Sequence, residues 1–122
     1  MFKSKVKSIR SILLIESNAV IAMDIVQVLQ NIGYKVEVAK DRTEGLDRMK
    51  QNEHGLIILS GKIQGNGEKF YKEVLALNRD LTKKIMFISG NITDFIKSTG
   101  NPYLMKPFSD EQLIEAVKNI IS

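Results

Sequence analysis

Short apolar runs alternate with amphipathic stretches from one end of this chain to the other, and that alternation restricts the fold more than any other feature. Ser11 to Ile15, Leu56 to Leu59 and Ile85 to Ile88 are runs of strand length, Tyr34 to Ala39 alternates as a strand, and Tyr103 to Met105 is a brief fifth. Asn18 can cap a helix carrying Val20, Ile21, Met23, Asp24, Val28, Leu29 and Ile32, which stops at Gly33. Asp41 can cap a second helix through Leu46 and Met49, and Phe70, Tyr71, Val74, Leu75 and Leu77 mark a third. Ile92 to Lys97 leaves room for only a short helix, and Ser109 caps a last one with Leu113, Ile114, Val117, Ile120 and Ile121. The Phe70–Tyr71 pair and the methionines fall at core-type spacing and are expected to be packing residues.

Strands that are apolar throughout, rather than at every second residue, are those of a parallel sheet covered by helices on both faces. Right-handed crossovers make the arrangement doubly wound. Five βα units of this size predict an α/β, flavodoxin-like, five-stranded parallel sheet in the order 2-1-3-4-5, with a shortened fourth helix. A length of 122 residues suits one domain. Residues 1–10 read as a basic lead-in segment and residues 11–122 as the domain.

Composition removes several function classes. The chain has no cysteine, which excludes a disulfide framework, a thiolate metal site and a cysteine nucleophile, and suits a cytoplasmic setting. Its one histidine, His54, cannot form a histidine-rich metal cluster and is predicted to lie exposed in a loop. No apolar run reaches the length of a membrane span, and a net charge of +4 is too modest to indicate a nucleic-acid protein. Neither a membrane nor a nucleic acid is therefore expected as a direct partner.

In an open sheet of this order, ligands and chemistry gather at the carboxyl ends of the strands, where the winding reverses. Those ends carry Glu16-Ser17, Ser60, Ser89-Gly90 and Lys106-Pro107. A phosphate loop would need a different spacing: five residues separate Gly55 from Gly61-Lys62, and Ile63 stands where a hydroxyl residue belongs. Gly61, Gly65 and Gly67 instead supply turn conformations. Ser17, Ser60 and Ser89 lack a histidine to activate them, and a pairing with Lys106 lacks an oxyanion hole, so hydroxyls bonded to strand-end backbone are expected.

Three segments together carry a family resemblance. Ile12-Leu13-Leu14-Ile15-Glu16-Ser17-Asn18 resembles the first strand and acidic pair of a response-regulator receiver domain. Ile85 to Gly90 resembles its fourth strand with the switch hydroxyl at Ser89, and Pro102-Tyr103-Leu104-Met105-Lys106-Pro107-Phe108 resembles its lysine–proline signature with the switch aromatic at Tyr103. The likeness runs from about Ile9 to the last helix. It implies a two-component or phosphorelay signalling module that is not an enzyme. Its partners would be a histidine kinase, a phosphotransfer protein or a fused output domain, and a homodimer is allowed.

The departures from that pattern change what the resemblance implies. Competent receivers hold magnesium with two carboxylates on the first strand and the acceptor aspartate on the third, and here those positions carry Glu16, Ser17 and Ser60. A serine cannot form the acyl phosphate, and one exposed carboxylate beside two hydroxyls and Lys62 is a poor site for a hard dication. The expectation is a degenerate receiver with no cofactor, magnesium binding lost and no metal ligand, acting by protein–protein contact. The stretch from Ser89 to Lys106 is also short for the family, which alters the responsive surface. The Lys106–Pro107 peptide is expected to be cis, and Glu16 to become the counter-charge of Lys106. The alternatives are a conventional phosphate-accepting regulator with a divergent site and a small flavin- or nucleotide-binding domain on the same fold.

Overall fold

The computed structural model describes residues 10–60 and 67–121. The expectations for most of the basic lead-in, for Gly61, Lys62 and Gly65, and for Ser122 lie outside those residues. Five strands, β1 (Ser11–Ile15), β2 (Lys35–Ala39), β3 (Leu56–Ser60), β4 (Ile85–Ser89) and β5 (Tyr103–Met105), pair in parallel in the order β2-β1-β3-β4-β5. The helices are α1 (Ala19–Asn31), α2 (Arg42–Gln51), α3 (Glu68–Leu77), α4 (Arg79–Thr82), α5 (Asp94–Thr99) and α6 (Asp110–Ile120).

Side chains alternate across a strand, so each apolar run feeds two cores at once. Ile12, Leu14, Leu56, Ile58, Met86 and Ile88 meet Ala22, Ile25 and Leu29 of α1 and Leu113 and Val117 of α6. Their neighbours Leu13, Ile15, Ile57, Leu59, Ile85 and Phe87 meet Met49 of α2, Phe70 and Val74 of α3, and Ile96 of α5. Each fully buried Leu, Ile or Phe contributes about 1.5–3 kcal/mol. That is why no polar residue lies inside β1, β3 or β4, whose serines, Ser11, Ser60 and Ser89, all stand at strand ends.

The helix starts follow the sequence closely. Asn18 Oδ1 accepts the amides of Val20 and Ile21, Asp41 accepts that of Glu44, and Ser109 forms a reciprocal capping box with Gln112. α1 ends ahead of Gly33, whose φ of 99° continues the chain in a way that disfavours other residues. Gly67, at φ 84°, begins α3 where an added Cβ would lie 2.7 Å from Leu59 Cδ2, so both conformation and space require glycine. The helix between β4 and β5 is short, at six residues. It is the fifth rather than the fourth because Asn78 caps an unforeseen single turn, α4, before β4.

Some residues expected in the core are on the surface. Met49 and Met86 are buried, but Met23 is 61% and Met105 57% exposed. Met23 is rotated away from the Ala22, Ile25 and Leu29 stripe of α1, and Met105 stands on the edge strand β5. Phe70 and Val74 form the buried stripe of α3, which leaves Leu75 off the stripe and Leu77 at the helix end, both exposed. Tyr71 does pack, with its ring 6.3 Å from that of Phe87 and 5.7 Å from that of Phe95.

Candidate functional site

β1 and β3 run side by side at the centre of the sheet, with Ile15 opposite Leu59, so the next residues of each strand, Glu16 and Ser60, meet at the carboxyl end. Both are buried, Glu16 at 2% and Ser60 at 1% exposure. The Ser60 hydroxyl donates to Glu16 Oε1 at 2.7 Å, and the Asn18 amide donates to Glu16 Oε2 at 2.9 Å. Glu16 is held from behind as well, because its own amide donates to the Ala39 carbonyl of β2 at 2.9 Å. Each carboxylate oxygen therefore has a donor, and the group sits just ahead of α1, whose first amides carry partial positive charge. The exposed carboxylate predicted from sequence is instead a buried one. The hydrogen-bonding residues that make burial possible, Ser60 and Asn18, come from another strand and from the helix cap.

The remaining site residues lie around this pair and are tied locally. Ser17 is exposed. Ser89 Oγ donates to the Asn91 carbonyl at 2.9 Å and accepts the Asn91 amide at 3.1 Å, closing a tight turn at the end of β4. The backbone reading of the strand-end hydroxyls thus holds for Ser89, whereas Ser60 bonds to a side chain. Tyr103 of β5 stands opposite Phe87 and is 47% exposed. The Lys106 amide donates to the Ser89 carbonyl at 2.9 Å, and the Lys106–Pro107 peptide is cis, as expected.

The expected Glu16–Lys106 pair does not form. No ion pair involving Lys106 occurs among the described residues. Glu16 is already satisfied by its two donors, and Lys106 lines a cleft of about 350 Å³ with Ile21, Asp24, Val28, Phe108 and Asp110.

A second carboxylate network, built on the half-buried Glu37 and the buried His54, was missed in the sequence. His54 is not exposed: its side chain is 2% accessible, and Nε2 lies 2.7 Å from Glu37 Oε1. A carboxylate only accepts, so the proton is on Nε2. Glu37 also accepts from Arg48 at 2.7 Å and from Asn52 at 3.3 Å, and the His54 carbonyl accepts Lys84 Nζ at 3.0 Å. Burial alone would push the Glu37 carboxyl up, but the hydrogen bonds from His54, Arg48 and Asn52 outweigh it and hold the group below its ordinary value. The same contact pushes the Arg48 guanidinium up. The one trace in the sequence is the acid itself, set between Val36 and Val38 in a strand. This network joins β2 to the end of α2 and to the loop before β3, away from the Glu16–Ser60 pair.

Comparison with known proteins agrees with this architecture. No curated protein matches the chain. Among solved structures, the chemotaxis protein CheY4 of Vibrio cholerae superposes with a TM-score of 0.79 at 23% identity, covering 90% of this chain and 97% of that one. A CheY-like response regulator receiver domain protein of Methanospirillum hungatei gives 0.79 at 24% identity, over 92% and 93% of the two chains. The signal receiver domain of an HD domain-containing protein of Pseudomonas fluorescens gives 0.80 at 20% identity, over 98% and 92%. At these identities the structures speak for the fold; the family follows from the sequence model of the response regulator receiver domain, which matches residues 12–118. Nearly the whole chain is spanned by that match, and the protein belongs to the response regulator receiver domain family, a signalling module of the two-component kind.

Proposed function

We propose that this receiver domain signals without being phosphorylated, as a degenerate member of its family that works by binding other proteins. The observation that carries the reading is the 2.7 Å hydrogen bond from Ser60 to Glu16 at the joined ends of β3 and β1. Where the family resemblance calls for an aspartate that accepts a phosphoryl group, a buried hydroxyl donates to the neighbouring acid. It has neither the carboxylate needed for an acyl phosphate nor an anionic oxygen to share with a cation.

The residues do not fit magnesium. A hard dication needs several oxygen ligands with free lone pairs. Glu16 is a single carboxylate whose two oxygens each face a donor, Ser60 O–H on one side and Asn18 N–H on the other. Among the described residues no cluster of three or more His, Cys, Asp or Glu is placed to hold a metal ion. In this reading the domain needs no cofactor, is not an enzyme and acts in the cytoplasm.

A histidine kinase, a phosphotransfer protein or a fused output domain is the partner class. The similar Pseudomonas domain is described as part of an HD domain-containing protein, which favours a fused or closely tethered partner. The test is incubation with a small-molecule phosphodonor and millimolar magnesium, followed by intact-mass measurement. No mass change is expected. A hydroxylamine-labile gain of one phosphoryl group would overturn the proposal in favour of a conventional regulator with a divergent site.

A further inference from the structure

The bonds at Glu16 continue beyond it. Asn18 donates its amide to Glu16 Oε2, and its side-chain Oδ1 accepts the amides of Val20 and Ile21 at 2.9 and 3.0 Å. A single chain of hydrogen bonds therefore runs from the end of β3, through a buried carboxylate directly after β1, to the cap of α1. Ser60 is its far anchor. The helix it leads to is unusual in carrying one charged residue, Asp24, in thirteen. Its first half also presents Val20 at 72% and Met23 at 61% exposure, the two most exposed large apolar side chains among the described residues.

We infer that Ser60 is a positioning residue: through Glu16 and Asn18 it fixes the start of α1, and with it the pose of the exposed Val20–Met23 surface. Removing the Ser60 hydroxyl leaves a buried carboxylate oxygen without its donor. That oxygen recovers a partner by swinging toward water or by drawing a new donor inward, and either movement pulls on the Asn18 amide bonded to the other oxygen. The disturbance runs along the chain to the first turn of α1. It does not reach α6, whose start is secured by its own capping box at Ser109 and Gln112. A residue that merely packed the strand end would lack this directionality. Its loss would lower stability everywhere alike.

The inference deepens the proposed function, since it gives the residue at the acceptor position a role that needs no phosphoryl group, yet it stands or falls on a different measurement. The experiment is amide hydrogen exchange followed by NMR in the native protein, in Ser60→Ala, in Glu16→Gln and in the double variant, under conditions where all remain folded. In Ser60→Ala the amides of Asn18, Val20 and Ile21 are expected to exchange about tenfold faster or more, while those of Leu113 and Gln112 in α6 change only with global stability. Glu16→Gln should accelerate the same amides, and the double variant should add little to either single change, because all three interrupt one chain. Equal acceleration across α1 and α6, or additive effects of the two substitutions at Asn18, would overturn the positioning role. A phosphoryl mass gain would instead overturn the functional reading and leave this result untouched.

Discussion

Gly45 lies in the middle of α2, is buried, and faces Ile15 of β1 with no room for a side chain. On helix propensity alone, Gly45→Ala should stabilise by about 0.8–1 kcal/mol. The packing says otherwise. An added Cβ would stand 2.6 Å from Ile15 Cδ1 and 3.0 Å from its Cγ1, with Phe70 Cε1 at 3.7 Å on the other side. Ile15 is 1% exposed, so its terminal methyl has no solvent to move into. Overpacking of this kind costs about 1–3 kcal/mol and exceeds the propensity gain. Set against that gain, the expected net loss is up to about 2 kcal/mol, read as a lower urea midpoint at unchanged slope. Ile15→Val removes the clashing methyl and alone costs about 0.5–1.5 kcal/mol. In the Gly45→Ala background it should cost nothing or stabilise, giving a coupling of about 1 kcal/mol or more. A Gly45→Ala protein more stable than its parent, or an additive cycle, would refute the reasoning.

Two further substitutions probe the polar networks. Because Glu37 is held below its ordinary value of 4.5, it binds fewer protons when folded than when unfolded. Its contribution is therefore complete above that value and lost as the pH falls through the lower folded one, so the stability gap between the native protein and Glu37→Gln should close as a urea series moves below about pH 4.5. Asn101 Nδ2 donates to the Thr82 carbonyl at 2.6 Å and the Ile85 carbonyl at 2.8 Å, so Asn101→Ala should cost about 2–3 kcal/mol in the same assay, and a loss under about 0.5 kcal/mol would show that solvent replaces both bonds.

The sheet was legible because its signal is redundant. Each apolar run predicts its own strand, and the parallel order follows from strands buried on both faces. Caps at Asn18, Asp41 and Ser109 were legible for a similar reason, since an Asx or serine side chain meets its own helix within three residues. Partners far apart in sequence were not. His54 reads as a loop histidine until β2 brings Glu37 beside it, 17 positions away in the chain, and Ser60 is 44 positions from the acid it bonds. The identity of the residues at the candidate site was therefore available from sequence, whereas the identity of their partners required the fold. The Glu16–Lys106 expectation failed on this point. It weighed charges but could not count the uncharged donors, an amide and a hydroxyl, that reach the carboxylate first.

That count also bears on the proposal that Glu16 needs no cation. A buried carboxylate is costly to leave unpaired, but the pairing need not be with a full charge. Glu16 lies directly before the thirteen-residue helix α1, whose N-terminus carries roughly half an elementary charge of positive sign. Two donors, at 2.7 and 2.9 Å, add oriented dipoles at the same place. With a single negative charge so balanced, a bound dication would leave the pocket with roughly +1.5 charges, at the same end of the sheet as Lys106 after β5. Three carboxylates at these positions would reverse the balance and call for the ion. In the proposed reading, serines at two of the family's acidic positions change the kind of interaction that closes the site, from a metal bridge to a hydrogen-bonded one. Its directional bonds tie the ends of β1 and β3 to the start of α1, and on the proposed function they do so without an exchangeable ion.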